Sequence, residues 1–231
     1  MTFTVDTVKQ ELIQLLLEYP DLEVVHSDSS VFRLHGQILV FRTYNDFTLR
    51  KAYKLDIVIP INSDELPYVI DVDHQIRQDY HHYYSNGVLC LATDSQIRIH
   101  FIDGMDLKAW MSEFVEMYYF SYEYYERFGI FPFGERDHDY WGILQTYQDY
   151  LLTKDEVETI KIMRFIKSQK YRGHHSCPCG SGMLLRNCHG QIILRFYKDI
   201  RIKRIMIKDL EAIEKEINKK SEFKRNRKKT K

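Results

Sequence analysis

Long apolar runs are missing from this sequence: wholly apolar stretches are only a few residues each, against the ~20 that a helix needs to cross a bilayer. No membrane association is expected. The N-terminus, MTFTVDTVKQELIQLLLEYP, lacks a basic stretch followed by an apolar run and a small-residue cleavage site, so no secretory signal is expected there. Cysteine is scarce, four in 231 residues, which excludes a disulfide scaffold. Three cysteines crowd between positions 177 and 188 while Cys90 stands alone. That split predicts a metal cluster and a separate thiol in a reducing cytoplasm. No internal repeat is visible, and there is no Gly-x-Gly-x-x-Gly run of the kind that opens a nucleotide-binding helix.

Net charge is absent as well, with 33 basic residues against 33 acidic ones. The balance conceals an asymmetry: residues 219–231 carry eight Lys/Arg and one Glu, so this +7 tail is offset by −7 over residues 1–218. What is present is a composition 44% hydrophobic and 29% charged, that of a folded domain of ordinary size plus an appendage. It excludes a disordered chain, a collagen-like chain and a uniformly basic nucleic-acid binder.

Val8, Leu12, Leu15, Leu16 and Tyr19 recur at helical spacing, Thr7 and Gln10 have the form of a capping box, and Pro20 stops the helix. Val31–Leu34 and Ile38–Phe41 flank Gly36 and predict a hairpin. Tyr53, Leu55, Ile57 and Ile59 alternate with Lys54, Asp56 and Val58 up to Pro60, and Tyr68–Val72 offers a fourth strand. The pattern predicts an α+β domain in which a four-stranded antiparallel meander follows one helix. From Asp73 to Thr93 the periodicity fails; a long irregular segment flanked by apolar residues reads as ordered and functional. Leu107, Trp110, Met111, Phe114, Val115, Tyr118, Tyr122 and Tyr125 predict a long helix. Two further helices are expected at about 139–152 and 154–168, then a cysteine-rich turn at 174–190, then one charged amphipathic helix from Leu194 to Ile217.

The order of these pieces carries a resemblance. The residues are Tyr53-Lys54-Leu55-Asp56-Ile57-Val58-Ile59-Pro60, then Leu66-Pro67-Tyr68-Val69, then His81-His82-Tyr83-Tyr84-Ser85-Asn86-Gly87-Val88-Leu89-Cys90-Leu91. Together they resemble the ubiquitin-conjugating enzymes, specifically their divergent bacterial relatives, over roughly residues 1–150. In that family a strand ending in Pro and a Pro-bearing turn lead to a His-Pro-Asn loop shortly before a Gly-x-Ile/Leu-Cys-Leu active site. The resemblance implies the ubiquitin-conjugating fold, with Cys90 as the thioester-forming nucleophile.

Sulfur is both a good nucleophile and a good leaving group, so a thiolate can relay an acyl group from a carrier to an amine. A cysteine between two leucines is otherwise simply a small buried hydrophobe. The family's oxyanion-supporting Asn falls eight residues before Cys90, where this chain has His82, preceded by His81 rather than Pro. An imidazole N–H can donate to an oxyanion, or a neutral imidazole can accept the proton of an incoming amine. A hydrogen bond that merely braces the loop is the other reading of His82. Asn86 before Gly87 reads as a turn residue, and nothing in the sequence fixes the direction of Asp94.

Cys177-Pro178-Cys179-Gly180-Ser181-Gly182, five residues, then Cys188-His189-Gly190 fits the SEC-C zinc motif, found at the C-terminus of the SecA translocation motor and in other bacterial proteins. Three thiolates and one imidazole form the closed tetrahedral set that structural zinc prefers. The expected ligands are Cys177, Cys179, Cys188 and His189, with His174 and His175 as competitors for the imidazole position. Where the family usually carries lysines, Met183-Leu184-Leu185-Arg186-Asn187 is largely apolar. That weakens polyanion binding and favours packing on the chain's own helices.

The resulting organisation is a ubiquitin-conjugating-like domain over 1–150, a connecting helix over 151–173, a zinc knuckle over 174–190, and a charged helix with basic tail over 191–231. The aromatic stripe from Tyr118 to Phe133 reads as core with a wet tyrosine edge, or else as a docking surface. The resemblance implies an acyl carrier that accepts the C-terminal glycine of a protein partner on Cys90 and passes it to an amine. It further implies bacterial anti-phage operons of the cyclic-oligonucleotide (CBASS) type, where the partner is a cGAS-like nucleotidyltransferase and a separate activating enzyme supplies the acyl group. Nucleic acid is not an expected partner. The competing readings are a catalytically silent protein-binding module of the same fold and, last, a cysteine hydrolase using Cys90 with His81 or His82.

Overall fold

The computed structural model describes residues 2–135, 137 and 139–229, of which 221–229 are described through their main chain. The side chains of the +7 tail therefore lie largely outside the described residues. The chain forms two compact units, residues 1–135 and 136–231. The expected boundary at 150 falls instead at the end of a helix that belongs to the second unit.

In the first unit α1 (Val5–Glu18) begins one turn before its predicted cap. Thr4, not Thr7, is the N-cap, its hydroxyl accepting the Thr7 amide at 3.2 Å. Four strands follow, β1 (Leu22–Ser27), β2 (Val31–Tyr44), β3 (Phe47–Pro60) and β4 (Tyr68–Asp71), paired antiparallel in the order β1-β2-β3-β4. The meander is as expected, but its hairpin is not at Gly36. β2 runs through that position, and the chain reverses at Asn45-Asp46, between the paired residues Tyr44 and Phe47. Gly36 serves another purpose: at φ +149° it sits against the start of β1, where a Cβ would lie 2.0 Å from the Asp21 carbonyl oxygen. A glycine inside a strand pattern marks close backbone approach as readily as a turn. β1 had no usable signal, because only Leu22 of its six residues is buried.

After the irregular segment come α2 (Asp94–Ile102), α3 (Leu107–Trp110), a π-helical turn (Met111–Val115) and α4 (Glu116–Phe128). The last three form the long helix predicted from Leu107. α4 lays its aromatic stripe on the sheet: Tyr119 stacks on Tyr53 with ring centroids 4.0 Å apart. The same helix is pinned by charge-assisted bonds, Arg42 Nε to Glu116 at 2.9 Å and Tyr53 Oη to Glu123 at 2.7 Å. Tyr118, Tyr119, Phe120, Tyr122 and Tyr124 are buried while Phe128 and Phe133 are exposed, so the stripe is core with an open edge. Each fully buried large side chain here stabilises by about 1.5–3 kcal/mol relative to exposure.

The second unit contains α5 (Asp139–Leu151), α6 (Glu156–Ser168), a cysteine-bearing turn, α7 (Gly190–Lys198) and α8 (Ile200–Lys229). The single amphipathic helix expected from Leu194 is two helices. Asp199 divides them: its carboxylate accepts the Arg201 amide at 2.8 Å and so starts α8 afresh. Ile162, Ile166, Phe196, Met206, Leu210 and Ile213 close this unit's core.

Among the described residues no helix is long and apolar enough to cross a membrane.

Candidate functional site

Residues 73–93 hold neither a helix nor a long strand, yet they are tied down at many points. Asp71, 1% exposed at the end of β4, accepts the Ile76 amide on Oδ2 at 2.9 Å. Its own amide donates to the Gly87 carbonyl at 3.0 Å, and the Leu89 amide donates to the Val69 carbonyl at 2.9 Å. The segment is thereby clipped to the edge of β4. Within it residues 82–90 fold as a small hairpin. Tyr83 faces Leu89, the Tyr84 amide donates to the Val88 carbonyl at 3.0 Å, and the Gly87 amide returns to the Tyr84 carbonyl at 2.9 Å. Asn86 accepts the Val88 amide on Oδ1 at 3.2 Å, the turn role its dipeptide predicts.

The hairpin register brings Cys90 and His82 together. The Cys90 amide donates to the His82 carbonyl at 2.9 Å. The same carbonyl accepts the Tyr118 hydroxyl at 3.0 Å. Burial, and then the neighbouring Tyr80 and Tyr119, push the Tyr118 phenol far up, so it remains a donor at every physiological pH. Cys90 is half-buried between buried Leu89 and half-buried Leu91. A second hydroxyl, that of exposed Tyr84, donates to Cys90 Sγ at 3.5 Å.

The two imidazoles are placed differently. His81 is exposed, with Nδ1 3.3 Å from Glu135 Oε1. The His82 ring lies edge-on to Tyr80 and to Phe131, both at 5.7 Å. Asp94, the first residue of α2, is largely exposed and 4.0 Å from Arg98. Tyr84 and Tyr118 did not stand out in the sequence. Only the hairpin register and the packing of α4 bring their hydroxyls to this loop.

The second site is a cluster. Cys177 Sγ, Cys179 Sγ, Cys188 Sγ and one nitrogen of His189 all lie within 4.8 Å of one another and could hold a metal ion. Cys179 Sγ and Cys188 Sγ are 3.6 Å apart, and His189 Nδ1 stands 3.1 Å from Cys188 Sγ and 3.4 Å from Cys177 Sγ. The 3.6 Å and 3.4 Å separations lie near the edges of a tetrahedron around an ion with metal–sulfur bonds of about 2.3 Å. Three thiols and an imidazole suit zinc.

A short bridge between Ser176 and Leu184 and the Cys177 amide bond to the Met183 carbonyl, 2.8 Å, shape the turn. Gly180 at φ +88° and Gly182 at φ +76° allow its reversals. Burial opposes ionisation of Cys179, but the Ser181 hydroxyl and amide outweigh it and bring the thiol down to about 6. His189 Nε2 faces Glu158 of α6 at 3.9 Å, which places a carboxylate on the side of the ring away from the cluster. That partner lies far off in sequence and gave no signal. His174 and His175 pack against each other, ring centroids 5.1 Å apart, and are not members of the cluster. Leu185 of the apolar stretch is fully buried, whereas Met183 is exposed.

Two kinds of chemistry are thus held in separate units, an accessible thiol on a braced loop and a closed set of soft metal ligands. No protein-family model, curated protein or solved structure matches the chain.

Proposed function

We propose that the protein is a ubiquitin-conjugating-enzyme-like acyl carrier, working in bacterial anti-phage defence of the cyclic-oligonucleotide type, with Cys90 as its nucleophile. The observation that carries this reading is the setting of Cys90. Its thiol is half-buried rather than part of the core, and its main chain is pinned to position 82, on a braced loop beside the last strand of a four-stranded meander.

The Cys90 thiolate attacks the thioester of a separate activating protein. A new C–S bond forms to the partner's C-terminal glycine, and the old C–S bond breaks with its electron pair on the activating cysteine. An amine then attacks the Cys90 thioester, forming the amide and releasing the Cys90 thiolate. His82 and His81 are the imidazoles that stand in the loop to accept the amine's proton. The partner is a cGAS-like nucleotidyltransferase engaged through its C-terminus. The cysteine cluster is a SEC-C-like knuckle whose zinc is structural, since four protein ligands leave no position for water.

Position 82 favours one second reading, a silent binding module of the same fold, because the family's Asn is replaced there by a histidine packed on Tyr80 and Phe131. Intact-mass spectrometry under non-reducing conditions, on the protein co-expressed with its genomic neighbours, separates the two. A partner-sized adduct removed by thiol or hydroxylamine and absent from Cys90→Ala is the expected result. Unmodified wild type beside an active partner set would leave the binding module.

A further inference from the structure

A thioester carrier must stabilise the oxyanion that forms when an amine adds to the acyl carbon. His82, at the position from which the family draws its donor, turns its ring edge-on to Tyr80 and Phe131. Asn86, the one amide side chain of the hairpin, accepts the Val88 amide on Oδ1 at 3.2 Å, which ties it to the turn. The Cys90 amide is committed to the His82 carbonyl at 2.9 Å. One hydroxyl in the hairpin does reach the sulfur: Tyr84 Oη, donating to Cys90 Sγ at 3.5 Å. The hairpin holds that relation, because the Tyr84 amide bonds to the Val88 carbonyl at 3.0 Å, two residues before the cysteine.

We propose that Tyr84 is a catalytic residue, the oxyanion donor of acyl transfer at Cys90. The inference rests on the carrier reading. An acyl group on Sγ carries its carbonyl oxygen two bonds from the sulfur. A hydroxyl that already meets the sulfur is therefore close to the position an oxyanion donor needs, about 2.7–3.1 Å from the developing charge. Tyr84 is 55% exposed, so an acyl group on the sulfur can reach its hydroxyl from solvent.

The step balances without further groups. The amine lone pair forms the C–N bond, and the carbonyl π pair moves onto oxygen, where the Tyr84 O–H donates a hydrogen bond and keeps its proton. The pair then returns, the C–S bond breaks with its electrons on Cys90 Sγ, and the ammonium proton passes to a loop imidazole or water.

The test uses the full zinc-loaded chain and a defined probe. A glycine-terminated peptide, supplied as its 2-mercaptoethanesulfonate thioester, is exchanged onto Cys90, and free lysine then discharges it, with both steps followed by intact mass. Tyr84→Phe is expected to slow discharge by about 10- to 100-fold, at or just below the usual loss for removing one oxyanion donor. Its thermal melt should match wild type, because the ring is retained at an exposed position. Alkylation of Cys90 by iodoacetamide, a displacement at carbon with no oxyanion, should change far less than acyl transfer.

Equal discharge rates in the two proteins would overturn the role of Tyr84 and leave the carrier reading standing. An equal slowing of alkylation and discharge would also overturn it, placing the hydroxyl on the thiolate instead. A wild type that never takes up the peptide on Cys90 would overturn the carrier reading itself, and the role of Tyr84 with it.

Discussion

The two units differ in charge as much as in architecture. Residues 1–135 hold 21 Asp/Glu against 10 Lys/Arg, net −11, and residues 136–231 hold 12 against 23, net +11. The neutrality of the whole chain is a cancellation between units, and the basic tail accounts for only part of the second. The first unit is built on a sheet whose β2–β3 pairing runs from Val31↔Pro60 to Tyr44↔Phe47, backed by an aromatic core. The second has no named strand among its described residues. It rests on four helices and a cysteine turn of loops and tight bends.

Backbone order in the first unit therefore comes from ladder hydrogen bonds and burial. In residues 173–190 of the second, a few main-chain bonds surround four side chains that could hold a metal ion, and an ion bound there would add its binding free energy to folding.

Metal removal gives the largest expected effect. A structural zinc site couples about 10 kcal/mol or more of binding free energy to folding. Chelation at neutral pH, or Cys188→Ser, is expected to expose the amides of residues 173–190, raising their hydrogen exchange by orders of magnitude. The amides of β2 and β3, in a unit that holds none of the ligands, should keep their protection. Equal protection throughout, with and without chelator, would show that the turn stands on hydrogen bonds alone and would erase the contrast.

The contrast also explains which parts were legible in the sequence. The metal cluster was, because Cys177-x-Cys179 and Cys188-His189 are local and their spacing nearly dictates the ligand set. Cys90 was legible as a distinctive thiol, and the meander from its alternating residues. Other features hid behind physical ambiguities. Gly36 suggested a turn but marks a close approach of β1.

α2 went unseen because its buried residues Ser95, Ile97, Ile99 and Phe101 alternate like a strand's. Yet Thr93 and Gln96 had the form of a capping box, and the Thr93 hydroxyl does accept the Gln96 amide at 3.3 Å. Tyr84, Tyr118 and Glu158 come to the two sites only through the hairpin register or helix packing, so no local pattern announced them.

A matched pair of glycines sharpens the comparison at intermediate size. A Cβ on Gly36 would lie 2.0 Å from the Asp21 carbonyl oxygen, and one on Gly190 would lie 2.5 Å from the Leu185 carbonyl oxygen. Neither obstacle is a flexible side-chain tip, so the main chain must move. Gly36→Ala is expected to destabilise the first unit by about 3 kcal/mol, the upper part of the range for overpacking, read as a lower urea midpoint. Gly190→Ala acts where the turn meets α7. It should accelerate zinc loss to a colorimetric chelator while leaving the sheet's urea midpoint unchanged. Identical responses to the two substitutions would show that the units share one cooperative transition.

Acid separates the units by the smallest increment. Asp28, in the β1–β2 turn, accepts the Ser30 hydroxyl at 2.7 Å, the Ser30 amide at 2.7 Å, His26 Nε2 at 3.1 Å and the Val31 amide at 2.9 Å. These bonds, those from Ser30 foremost, hold its carboxyl well below the usual carboxylate range. A carboxyl whose folded-state pKa lies below its unfolded value, about 3.9 for Asp, binds fewer protons folded than unfolded between those two values. Its stabilisation is complete above the unfolded value and is lost as pH falls through the folded one. The first unit should therefore lose part of its stability below about pH 4, and Asp28→Asn should flatten that decline.

With a metal bound, the second unit is expected to respond in the same direction but earlier, because its cysteines hold an ion as thiolates and acid competes directly with the metal. A pH series of zinc release and sheet melting on one sample measures both. Zinc should leave first, and the sheet should weaken afterwards. The reverse order would mean that the cluster, not the ladder, is the more acid-resistant part of the chain.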